Sequence, residues 1–406
     1  MKKILIISIV ILIQNKLAYS QFEAIKSFQK DIIKNEITGS NVVMIYKEGK
    51  VVFFNAENSN LIGDKKINNQ SYKPYEETLF PIWSMSKPIT IVAMMILHDR
   101  KLFNIKDPVK KYIPYFDNLQ CKSEDESIGT YECKNDLLIE HLLSHRSGYG
   151  YVSFGANVPD HRDPFIDLDE FVKHVANRPV NFEPGTEYLY GINQAILGRL
   201  VEILSGQEFY EFLKENIFDP LGMKNTKFYL TDEDRKKFQP LYRKAQEEVG
   251  INLLMPDSGE SVMTQNFDEL TYSQGIKKQL GGEGLVSTFN DYRKFCEMLL
   301  SGGMYKDEII ISEDSFKLMT TVVTNHFISG GYDDGFGYSY SMFSLQEPML
   351  DGTGSPEGIF GWSGYHNTHF WIDQTNGIYG LFMTRTTPFQ IEIQKHFRSA
   401  VYKNIN

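Results

Sequence analysis

Phe80-Pro81-Ile82-Trp83-Ser84-Met85-Ser86-Lys87-Pro88-Ile89-Thr90 opens a run that stays apolar through Ile91, Val92, Ala93, Met94, Met95, Ile96 and Leu97. A helix apolar on every side has no solvent face, so residues 84–97 read as a helix buried inside a large domain. Ser84-x-x-Lys87 sits at its head. A spacing of three puts the hydroxyl and the ammonium on one face, about one turn apart. A serine hydroxyl is a weak nucleophile until a base removes its proton, and a Ser–Lys pair is one way to do so. The N–H groups at a helix start add positive potential where an oxyanion would form. The bland alternative is an N-cap serine beside a solvated lysine. Ser27-Phe28-Gln29-Lys30 has the same spacing on a segment with a polar face, and only the buried setting separates the two.

Outward from this helix the pattern is mixed. Residues 22–36 have helical apolar spacing, ended by Thr38-Gly39. Residues 42–46 and 51–54 are β-rich runs joined by Lys47-Glu48-Gly49-Lys50, a hairpin signal. The middle alternates helical patterns with polar loops, clearest at 207–218 and 290–300. Strand patterns return at 338–343, 368–372 and 378–384, and an amphipathic helix closes the chain at 390–402. The expected fold class is therefore α+β. Both chain ends join in one antiparallel sheet with flanking terminal helices (21–83 and 345–406), and 84–344 forms a mainly helical domain with loop insertions. Ligand sites favour such junctions.

Lys2 and Lys3 precede an apolar run over residues 4–13 and then Ala18-Tyr19-Ser20, so residues 1–20 read as a signal peptide cleaved before Gln21. The expected location is periplasmic or secreted. After these residues no stretch reaches the roughly 18 apolar residues of a membrane span. The 406 residues are 42% hydrophobic and 23% charged, which excludes a disordered chain. The formal charge of −10 argues against a nucleic-acid partner. Cys121 and Cys133 bracket a polar segment; export makes a disulfide there plausible, worth roughly 2–3 kcal/mol, with two free surface thiols as the alternative. Cys296, in a helical pattern, reads as a buried small hydrophobe.

Residues 80–90 resemble the nucleophile region of the serine β-lactamase and penicillin-binding-protein superfamily. The resemblance is closest to the class C β-lactamase-like branch that contains the family VIII carboxylesterases. It extends, in order, through HLLSHRSGYGY (141–151), PGTEYLYGINQAILGRLVEILSG (184–206), FDPLGMKNTKF (218–228), GGEGLVST (281–288) and FGWSGYHNTHFWIDQTNGIYGLFMTR (360–385). It implies a β-lactamase-like fold and an acyl-serine mechanism with no cofactor and no metal. Ser84 is then the nucleophile and Lys87 its proton acceptor. Tyr190 matches the tyrosine of the family's Y-x-N element; Ile192 takes the third position and the amide of Asn193 falls one residue later, and the resemblance still implies Asn193 as a substrate-binding residue. Beside a positive Lys87, the Tyr190 hydroxyl is expected to be drawn toward phenolate. Strict Y-x-N occurs at Tyr365-His366-Asn367 and at Tyr402-Lys403-Asn404, both at the wrong place in the chain.

The family's K-T-G element appears as Trp362-Ser363-Gly364, in the W-x-G form of the esterase branch. An indole cannot pair with a substrate carboxylate as a lysine does. Gly364 is expected to let the strand approach the substrate, and the N–H groups of Ser84 and Tyr365 to hold the oxyanion. The substrate class is then a small carboxylic ester, with weak β-lactam hydrolysis on the side. The alternatives are a β-lactamase or D-alanyl-D-alanine carboxypeptidase on a peptidoglycan-like substrate, and a penicillin-recognising or wall-binding module that acylates without turnover. Two decoys accompany these motifs. His141 and His145 have helical i, i+4 spacing but lack the glutamate of H-E-x-x-H. His366, His369 and Asp373 invite a Ser-His-Asp reading but lack the G-x-S-x-G elbow.

Overall fold

The computed structural model describes residues 22–58, 75–125, 127, 129–151, 167–243, 262–264, 268, 270, 272–324 and 335–403. The leader reading at 1–20 and Asn404 lie outside them. Among the described residues no helix is long and apolar enough to cross a membrane.

Helix α1 (Glu23–Lys34) is followed by the hairpin β1 (Ser40–Lys47) and β2 (Lys50–Asn58). Helix α2 (Ser86–Asp99) lies against α3 (Asn193–Ser205), and α4 (Phe289–Leu300) packs under the sheet. Strands β3 (Phe336–Tyr338), β4 (Phe343–Leu345), β5 (Phe360–Ser363), β6 (His369–Asp373) and β7 (Ile378–Met383) precede α5 (Ile391–Tyr402). One antiparallel sheet runs in the order β3-β4-β5-β6-β7-β1-β2. Joining the ends places Val42 opposite Met383 and Ile45 opposite Gly380.

Period-two alternation sends the strand side chains to two separate cores. Val43, Ile45, Trp371 and Phe382 meet Ile25, Phe28, Phe397 and Val401 of the terminal helices. Val42, Met44, Phe370, Ile372 and Leu381 face the other way, into the core shared with α2 and α4. Each core-facing α2 residue from Ser86 to Leu97 is buried, as an all-round apolar helix requires.

Three expectations change. The 338–343 run is not one strand: Ser339–Met342 form a turn between β3 and β4, with Ser341 at φ +55°. That turn sends Ser341 Oγ to the Leu143 carbonyl at 3.0 Å, which a continuous strand cannot do. The sheet therefore begins at Phe336, earlier than the 345 boundary read from the pattern. The helix expected over 207–218 is α-helical only at Phe209–Leu213 and continues as a π turn over Lys214–Phe218. Cys121 and Cys133 are disulfide-bonded across the hairpin of Gln120–Lys122 and Thr130–Glu132, and Cys296 is buried and free.

Candidate active site

Leu79–Pro81 pairs with Val286–Thr288 and delivers the chain to a 3-10 turn over Trp83–Met85, from which α2 starts at Ser86. Ser84 thus sits in the turn, just ahead of the helix. Pro88 falls in the first turn of α2, where a missing N–H breaks no helical bond. Trp83 has φ +47°, a left-handed conformation that costs a bulky residue on the order of 1–3 kcal/mol. Its indole donates to His366 Nδ1 at 2.9 Å and packs edge-on against Tyr365, with centroids 5.2 Å apart. These contacts hold the turn that presents Ser84.

Lys87 lies 3.1 Å from Ser84 Oγ, and the Tyr190 hydroxyl donates to Ser84 Oγ at 2.6 Å. The three residues named for the chemistry converge across the separation from 84 to 190. Lys87 is fully buried, and burial lowers its pKa to about 7, against a smaller opposing pull from Glu283. Tyr190 moves the other way. Burial raises its pKa, with Glu283 adding to the rise, and its hydrogen-bond contacts with Ser84, Trp362 and Tyr151 only partly oppose this. The expectation of a tyrosinate is therefore corrected. Desolvation strips charge from the lysine and leaves the tyrosine a phenol.

Trp362, Ser363, Gly364 and Tyr365 line the same cleft as Ser84 and Tyr190, a volume of about 520 Å³. Trp362 packs between Tyr190 and Phe343, with centroids 5.6 Å and 6.4 Å away. Ser363 Oγ is 2.8 Å from His369 Nδ1, which ties its side chain to β6. A side chain on Gly364 would collide with the Ile82 carbonyl and Thr368 Oγ1. Glycine is needed there so that the end of β5 can abut the serine's own turn, which brings the Tyr365 and Ser84 backbones to one cleft.

Asn193 is not part of this wall. It is the first residue of α3, where each step rotates a side chain by about 100°. A one-residue displacement therefore turns the amide inward, where it is fully buried, accepts from Ser147 Oγ and lies 2.8 Å from His145 Nδ1. Its place is behind Tyr190, whose ring lies 4.8 Å from that of His145.

Neither decoy forms a site. His141 Nδ1 accepts the Leu138 N–H while His145 faces Asn193, and among the described residues the one metal-sized cluster is the disulfide pair with Glu183. His366 accepts from Trp83, and Asp373 accepts from Tyr402, so no Ser-His-Asp chain reaches Ser84. At the Ser27/Lys30 repeat, Lys30 is exposed and Ser27 donates to Asp31.

Three site residues, Gly282, Tyr151 and Glu283, went unassigned in the sequence. Lys87 donates to the Gly282 carbonyl at 2.7 Å and to the Tyr151 hydroxyl at 2.9 Å, and Tyr151 donates to Glu283 Oε2 at 3.0 Å. A Cβ on Gly282 would stand 3.2 Å from Lys87 Nζ, so the glycines let this segment press onto α2. The signal available was an acid set among glycines, Gly281-Gly282-Glu283-Gly284. Among the described residues, the cationic side chain on the cleft wall is Arg398, which is 1% exposed and ion-paired to Asp351 at 2.8 Å.

Residues 30–399 match the family described as Beta-lactamase. The chain belongs to the beta-lactamase family. Its relatives include esterase EstB of Burkholderia gladioli, 24% identical over 378 residues, covering 88% of each chain. A putative D-alanyl-D-alanine carboxypeptidase of Escherichia coli K12 is 26% identical over 352 residues, covering 82% of this chain and 75% of that one. Among solved structures, EstCE1, a hydrolase with promiscuous acyltransferase activity, superposes with a TM-score of 0.77 at 23% identity, covering 95% of this chain and 99% of the other. The fold and the hydrolase superfamily expected from residues 80–90 are those of this beta-lactamase-family chain.

Proposed function

We propose that this beta-lactamase-family hydrolase is an exported carboxylic-ester hydrolase that works through an acyl-serine intermediate. The observation that carries the reading is Ser84 Oγ held between a buried Lys87 amine at 3.1 Å and the Tyr190 phenol at 2.6 Å. Near neutral pH a substantial share of Lys87 is free amine, able to take the Ser84 proton as Oγ attacks the ester carbonyl. The backbone N–H groups of Ser84 and Tyr365 hold the oxyanion that develops. The Tyr190 phenol protonates the departing alkoxide and is recharged from the Lys87 ammonium. Water then enters, loses a proton to Lys87 and releases the acid, with the proton returning to Ser84 Oγ.

The wall chemistry supports an ester over a carboxylate-bearing substrate. Trp83, Phe336, Tyr338, Phe343 and Trp362 offer apolar faces, and Glu283 adds a carboxylate to the wall. Arg398 is already committed to Asp351. Among the described residues of that wall, a substrate carboxylate losing its hydration meets no cation but one already paired, and pairing with Asp351 leaves Arg398 little to offset the loss. Export fits the disulfide, a bond that persists in oxidising compartments.

Ser84→Ala tests the reading. Activity on a short-chain nitrophenyl ester should fall by at least ~10³-fold in a folded protein, with loss of fluorophosphonate labelling. Retention of more than about a tenth of the activity excludes a Ser84 acyl-enzyme. The similarity to a putative carboxypeptidase makes β-lactam or D-alanyl peptide hydrolysis the second reading, favoured if nitrocefin turnover exceeds ester turnover.

A further inference from the structure

Lys87 has more polar neighbours than a proton acceptor for Ser84 requires. It donates to the Gly282 carbonyl at 2.7 Å and to the Tyr151 oxygen at 2.9 Å, and it stands 3.1 Å from Ser84 Oγ. A neutral amine has two N–H bonds and one lone pair. With both N–H bonds committed to Gly282 and Tyr151, the lone pair is left for Ser84. This requires Tyr151 to accept from the amine. It does so because its own O–H is given to Glu283 Oε2 at 3.0 Å. A phenol deprived of that carboxylate can turn its O–H onto the amine lone pair and occupy the orbital that the Ser84 proton needs.

We propose that Glu283 is a positioning residue of this site: acting through Tyr151, it aims the Lys87 amine at Ser84. The inference rests on the acyl-serine reading above. Among the described residues, the titratable groups facing Lys87 are Tyr151 and Glu283, Tyr190, whose ring lies 4.8 Å from Nζ, and His145 behind it. Burial and the Lys87 charge hold His145 well below its usual range, and burial keeps Tyr190 a phenol, so Glu283 brings the negative charge to this group. Glu283 is half-buried, and glycines on both sides let it reach Tyr151.

The test is a cycle of variants on a neutral nitrophenyl ester, with fluorophosphonate titration of Ser84 counting the folded sites in each. Glu283→Gln keeps an oxygen for Tyr151 and removes the charge, so the acidic limb of kcat/KM should move to lower pH by about one unit. Glu283→Ala should move the limb the same way and also lower kcat about tenfold, with KM nearly steady. In a Tyr151→Phe background the alanine substitution should cost no further kcat, because the hydroxyl it acts through is gone. An unmoved limb in Glu283→Gln, or an alanine cost undiminished in Tyr151→Phe, overturns the role of Glu283 while leaving the serine mechanism in place. Failure of wild-type Ser84 to take up the fluorophosphonate overturns the acyl-serine reading, and this inference with it.

Discussion

The burial of Lys87 has a consequence that a pH series reads directly. An unperturbed lysine, at 10.5, would be about one part in 3,000 free amine at pH 7, whereas Lys87, at about 7, is close to half free amine. The ammonium is the inactive form, so activity is lost as pH falls. For a neutral ester, kcat/KM should level off above about pH 8 and fall tenfold per unit below about pH 6, reaching roughly 1% of the plateau at pH 5. Lys87→Arg keeps a cation that cannot lose its proton, and should remove at least ~10³-fold of the plateau rate at every pH in that range. Initial rates by pH-stat, corrected for buffer hydrolysis, avoid the ionisation of a chromogenic leaving group. A wild-type rate still climbing tenfold per unit between about pH 8 and 9.5 would mean that the buried lysine stays charged. The desolvation argument would then be wrong. An active arginine variant would remove Lys87 from the chemistry.

Two other outcomes follow from the site. For a short neutral ester, kcat/KM should exceed that for a carboxylate-bearing cephalosporin by at least about 10²-fold, or roughly 2.7 kcal/mol, because Arg398 is tied to Asp351 and Glu283 repels the anion; efficient cephalosporin turnover by the wild type would refute this. Asn193→Ala should lower the melting temperature by about 2–6 °C through lost buried hydrogen bonds, with the ester KM unchanged within about twofold, and a large KM rise in a stable variant would return Asn193 to the substrate wall.

Local periodicity was enough for much of this. An apolar run with no polar face had to be buried, which set Ser84 and Lys87 apart from the same spacing at Ser27 and Lys30. The β-rich runs of β1, β6 and β7 and the one-sided faces of α1 and α5 marked the two ends as sheet and cover, because each element must bury its apolar side against another. The family resemblance, and not periodicity, brought Trp362-Ser363-Gly364, Tyr190 and Tyr365 to the same site as Ser84, and all of them line one cleft.

What periodicity does not carry is which groups meet across long separations and how much water they keep. The Gly282 carbonyl that accepts a hydrogen bond from Lys87 is 195 residues away in sequence, and Glu283 enters only through that packing. Burial lowers the pKa of Lys87 and raises that of Tyr190, against the expected pull of the tyrosine toward phenolate, since a neighbouring charge is visible in a sequence but the loss of solvent is not. Asn193 was misplaced for a related reason: one residue of displacement at a helix start turns an amide from the cleft into the core. The sequence by itself determined most of the elements, their order and the spacing that sets Ser84 one turn from Lys87, because faces and spacings are local properties of the chain. Only the tertiary structure decided which proton sits where, because desolvation and hydrogen-bond partners exist only once distant segments have closed around Lys87.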